Sequence, residues 1–263
     1  MRLSIDHRTV YRFSEPQGRI VQMLRMTPQN SHDQTVANWD IHVDCDARMR
    51  EGRDGFGNQV TMLYVEGPVA GIEIAVTGEV LTSASDGLLH GVEERFPPAL
   101  FLRATDATPQ DDDVAAFARS FAACPAGLRD LTKAMHDRFG QDRGRPMAGL
   151  DAGAAFVRDR ATPRDMAQMF AVAARSLGVP ARYVSGYLLG ERDHRPTPHG
   201  WAEAFLPGQG WTGFDPWHGA VPGEEYVRVA VALDAAGAAP VAGSRLGDGD
   251  EELDVDVQVT VAA

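Results

Sequence analysis

Apolar and polar residues alternate with period two through LSIDHRTVYRF, WDIHVDCDARM, QVTMLYVEG and GIEIAVTGEVL, which fill most of residues 1 to about 85. Successive side chains of a strand point to opposite faces, so this pattern predicts half-buried antiparallel strands. Between two of them, Asp54-Gly55-Phe56-Gly57-Asn58 is turn chemistry, with glycines that allow positive φ and Asp or Asn side chains that satisfy nearby backbone groups. A small antiparallel β-sandwich is the expected N-terminal unit.

The period then changes. After the proline-marked stretch FPPALFLRATDATPQDDD, the apolar residues Val114, Phe117 and Phe121, then Leu131, Met135 and Phe139, fall at helical spacings. A boundary near residue 90 follows, dividing the chain into 1–90 and 91–263. Asp111-Asp112-Asp113 reads as a solvated helix N-terminus favoured by the macrodipole.

Thr162, Pro163 and Asp165 fit an N-cap, a first-turn proline with no donor to lose, and an acid that reaches back to the cap. Met166, Met169, Phe170, Ala173 and Leu177 continue as an apolar stripe, a core face rather than a cofactor box. Gly178-Val179-Pro180 stops the helix; ARYVSGYLL and HGWAEAFL read as strands, and PGQG turns the chain into WTGFDPW. His199 opens one strand and Asp215 closes the next, so antiparallel pairing across the turn at residues 207–210 brings an imidazole and a carboxylate to one sheet edge.

Composition narrows the function classes. The net charge of −12 and pI near 5.0 disfavour phosphate backbones and anionic lipid surfaces, so neither nucleic acid nor a membrane is an expected partner. MRLSIDHRTVYRF lacks the apolar run of a secretory signal, no window has the length of a membrane span, and Cys45 and Cys124 are far apart; a cytoplasmic protein is expected.

RSLGVPARYVSGYLLGE and HGWAEAFLPGQGWTGFDPWHG resemble the core of bacterial transglutaminase-like proteins, a superfamily of transglutaminases and cysteine-protease relatives. DGFGNQV resembles the β domain that precedes that core, and EEYVRVAVALDAAGAAPVAG the segment that follows it. The resemblance implies an α+β fold: an N-terminal antiparallel β-sandwich, then a papain-like core with a central helix packed on an antiparallel sheet. It also implies a Cys-His-Asp triad for acyl transfer through a thiolate and an acyl-enzyme. His199 matches the general base and Asp215 its orienting carboxylate, but Pro163-Arg164-Asp165-Met166-Ala167 stands where the family has Cys-x-Asp-x-Ala.

Proline supplies neither a thiol nor a backbone N–H. Loss of one oxyanion donor typically costs about 2.7–4 kcal/mol, and loss of the nucleophile in a comparable triad on the order of a millionfold in rate. Family-type turnover should therefore be lost. Thr162 reads as the helix cap rather than a substitute nucleophile, and Cys45, flanked by Asp44 and Asp46, and Cys124 read as structural. His194, His199, Asp215 and His218 could offer metal ligands, but their spacing fits no compact motif, so no metal and no cofactor are expected.

Among the aromatics Tyr183, Tyr187, Trp201, Trp211 and Trp217, the expected cleft members are Trp201 and Trp217. Arg164 could hold a carboxylate or form a structural salt bridge. Three functions remain: a catalytically inactive homologue binding a peptide or protein partner in the old cleft, a working amidase with a displaced nucleophile or a metal, and a fossil site with the role elsewhere. The first leads.

Overall fold

A computed structural model describes residues 1–190 and 195–262. Its N-terminal part is built on two long strands, β1 (Arg2–Leu24) and β4 (Gln59–Thr82), which pair antiparallel along almost their whole length. Register shifts between Arg12 and Arg19 bend the pair, and at the bend the buried Gln17 donates from Nε2 to the carbonyls of Glu15 and Asp248. Beyond the bend the neighbours change: β2 (Gln34–Val43) pairs one half of β4 and β3 (Arg48–Arg53) the other. Tyr11, Ile72, Ile74 and Val76 from one half share a core with Ile20, Leu24, Leu63 and Val65 from the other, so the bent sheet folds over its own apolar face.

WDIHVDCDARM was expected to run as one strand. It is broken at residues 44–47, where Asp44 leaves β2 to accept the Glu73 N–H, while QVTMLYVEG and GIEIAVTGEVL are one continuous strand.

The second part holds α1 (Asp112–Ala118), α2 (Pro125–Arg138), β5 (Gly140–Gln141), α3 (Ala152–Phe156), β6 (Arg160–Ala161) and α4 (Pro163–Ser176). Four antiparallel strands follow: β7 (Ala181–Leu188), β8 (His199–Leu206), β9 (Gly210–Phe214) and β10 (Tyr226–Ala232), in sheet order β10-β7-β8-β9. Asp111 caps α1 by accepting the Val114 N–H, so the acidic run is a helix start as expected. Helix α4 is more deeply sunk than a one-faced stripe predicts. Helices α1, α2 and α3 and strands β7 and β8 surround it, ten of its residues are buried, and Phe170 stacks on Phe214 at 5.1 Å.

The division at residue 90 does not separate the two sheets. Strands β11 (Val241–Leu246) and β12 (Glu251–Val261), grouped with the core by sequence order, pair instead with the two halves of β1. Leu3, Ile5, Val257 and Val259 then pack against Tyr187, Val227 and Val229 of the core sheet in one cluster. At this junction the buried His7 lies 3.0 Å from the Tyr187 hydroxyl, and desolvation pushes its pKa down to about 3. No helix among the described residues is long and apolar enough to cross a membrane.

Candidate active site

The N-terminus of α4 is locked by its own sequence. Thr162 accepts from the Asp165 N–H at 3.3 Å, while Asp165 Oδ2 accepts the Thr162 N–H at 3.1 Å and its hydroxyl at 2.7 Å. This capping box uses both hydrogen-bonding roles of the Thr162 hydroxyl, which is buried and has no free role as a nucleophile. Pro163 takes the first helical position. Arg164 beside it donates to the Met147 carbonyl at 2.6 Å and pairs with Asp165 at 3.2 Å, so the salt-bridge alternative is the geometry found.

Pairing of β8 with β9 sets Ala202 opposite Phe214 and carries Asp215 to the start of β8. There His199 Nε2 donates to Asp215 Oδ2 at 2.8 Å. Asp215 is fully buried; Oδ2 also accepts from His218 Nδ1 and the Tyr226 hydroxyl, each at 2.7 Å, and Oδ1 accepts the Trp217 N–H at 2.9 Å. Burial alone would raise the Asp215 carboxyl, but His199 and His218 hold it well below its ordinary range, so it stays ionised. For His199 burial outweighs the attraction of Asp215 and lowers the pKa, leaving a neutral ring. Because Nε2 carries the proton toward Asp215, Nδ1 is the acceptor; it is buried and has no hydrogen-bond partner among the described residues.

His199 and Pro163 line the same cavity, of about 790 Å³, with Gln141, Trp217 and His218 on its walls. A second cavity of about 550 Å³, lined by Arg164, Gln168, Tyr183, Leu253 and Val255, meets the first at Pro163 and residues 196–198. Trp217 is thus a groove residue, its carbonyl held by His136 Nδ1 at 2.8 Å and Gln141 Nε2 at 3.1 Å. Trp201 is not: two residues on from His199 and on the same face of β8, it stacks on that ring at 6.1 Å and packs on Val184 and Val231, and it does not line this cavity. Trp211 is also structural, lying 3.8 Å under the Arg182 guanidinium.

Cys124 precedes α2 as its cap residue, Cys45 lies in the break between β2 and β3, and neither lines either cavity. His199, Asp215 and His218 bring their ligand-type atoms within 4.8 Å of one another. Both imidazoles, however, turn an N–H toward the same carboxylate oxygen, an arrangement of hydrogen bonds rather than of lone pairs converging on a cation. His194, the fourth candidate, lies outside the described residues.

Sequence reasoning missed Tyr226, which nothing in its local pattern marks, and missed His218 as a donor to the carboxylate three residues before it.

The family description "Bacterial transglutaminase-like N-terminal region" matches residues 3–81, and "Transglutaminase-like superfamily" matches residues 126–216, which include Pro163, His199 and Asp215. The chain belongs to the transglutaminase-like superfamily. This transglutaminase-like protein is 27% identical to an uncharacterized protein of Mycobacterium leprae, with 98% of both chains covered. It is 25% identical to an uncharacterized protein of Mycobacterium tuberculosis, over 99% of this chain and 92% of the relative. In three dimensions it resembles a candidate cysteine protease from Cytophaga hutchinsonii, with a TM-score of 0.78 at 18% identity, covering 99% of this chain and 90% of the other, a likeness of fold.

Proposed function

We propose that this transglutaminase-like protein is a catalytically silent member that holds an extended peptide or protein segment in the groove running past Pro163, His199 and Trp217. One observation carries the reading. The histidine and aspartate are paired beside an open groove, but Pro163 stands where the resemblance puts the family's thiol, and among the described residues no hydroxyl or thiol hydrogen-bonds the His199 Nδ1 acceptor. A base with nothing to deprotonate cannot start acyl transfer, and the proline offers no N–H to an oxyanion. A site without any use would have no reason to keep the groove unfilled, whereas a peptide needs both its concavity and a buried polar anchor.

Nuclear magnetic resonance tests the reading directly. With the four tryptophans 15N-labelled and the histidines 13C-labelled, a tryptic peptide pool from casein should shift the Trp217 indole and His199 ring signals and leave the Trp39 indole in place. Shifts confined to the N-terminal sheet, or none at all, would instead favour a role away from this cleft.

A further inference from the structure

The groove differs in charge from the protein that surrounds it. The chain carries 37 acidic against 25 basic side chains, yet the 790 Å³ cavity is lined by Arg143 and Arg195 and, among its described lining residues, by no carboxylate. Arg143 is exposed and has no ion-pair partner among the described residues. The adjoining cavity adds Arg145 and Arg164, which already face Asp254 and Asp165 at 3.2 Å each, and one acid, Asp106. His199, which lines the same groove, carries at its buried Nδ1 an acceptor without a partner among the described residues, which a peptide N–H reaching it would satisfy.

Building on the peptide-binding reading above, we propose that the ligand is acidic: an extended peptide whose backbone N–H donates to His199 Nδ1 while a neighbouring Asp or Glu side chain pairs with Arg143. A cationic, concave lining inside an anionic molecule concentrates negative ligands locally, although the distant field repels them. The guanidinium fork suits a carboxylate in particular. Basic segments are disfavoured by the same lining, which in the larger cavity holds no acid among the described residues to pair with them.

The test compares three synthetic dodecapeptides, acetylated and amidated, of alternating Ala and Glu, Ala and Gln, or Ala and Lys, by isothermal titration calorimetry on the full chain at low salt. The Glu peptide should bind about tenfold more tightly than the Gln peptide, with no binding of the Lys peptide. Arg143→Gln should weaken the Glu peptide by about fivefold and leave the Gln peptide unchanged. Arg50→Gln, the same charge change on the exposed strand β3, should leave both affinities within about twofold, which separates local pairing from bulk charge. Equal binding of the Glu and Gln peptides, or equal effects of the two arginine variants, overturns the acidic preference while leaving peptide binding intact. Failure of all three peptides to bind overturns both.

Discussion

Replacing Pro163 with cysteine is expected to create a thiol that iodoacetamide alkylates at pH 7 about tenfold faster than either native cysteine, an advantage lost in the double variant with His199→Ala. The position is the first residue of α4, where the helix dipole favours a thiolate, and it lines the same cavity as His199. The fold should accept the change. Thr162 and Asp165 make the capping box without help from residue 163, and giving up the proline's restricted φ costs about 0.4–1 kcal/mol. The native thiols set a low background at Cys45, where burial, and then Asp44 and Asp46, raise the pKa. Peptide mapping by mass spectrometry assigns each label. Equal labelling of all three thiols, insensitive to His199, would mean that the imidazole does not address this position.

The second large effect is on stability. Asp215→Ala removes the acceptor of His199, His218, the Tyr226 hydroxyl and the Trp217 N–H at once, in a fully buried setting. Donors left unpaired in the interior are expensive, and truncating one member of a buried charged network typically destabilises by about 3–5 kcal/mol. A lowered urea midpoint, with little change in its slope, should report this loss. Asp215→Asn keeps the shape and one acceptor, and should cost less.

The pH dependence follows from the depressed Asp215 carboxyl. Its contribution is complete above the unfolded-state value near 3.8 and is lost as pH falls from there toward the lower folded-state value. Asp215→Asn should therefore flatten the stability curve below about pH 4 relative to the parent. A midpoint unchanged by Asp215→Ala would show that the four donors find water as easily as carboxylate.

What could be read in the sequence was what short-range chemistry determines. The capping box at Thr162 and Asp165 spans three residues, and the meeting of His199 with Asp215 needs only a tight turn and antiparallel register. The alternating N-terminal strands also stand in their expected sheet. What escaped depends on distant partners. Strands β11 and β12 join β1 across more than two hundred residues, and no local pattern says which sheet an alternating C-terminal strand will extend. Tyr226 reaches Asp215 only because β10 is placed beside β7, and Trp201, on the same face of β8 as His199, is kept from the groove by packing behind that ring on Val184 and Val231 of the neighbouring strands.

On the proposed function, the old triad has lost its chemistry while keeping its cleft. The most direct test is amide turnover by homogeneous protein, followed as monodansylcadaverine incorporation into casein and as release from a fluorogenic peptide library, for the parent chain and His199→Ala side by side. The predicted result is a rate for the parent equal to that of His199→Ala and to the buffer blank. Turnover by the parent that disappears with the imidazole would contradict a silent site.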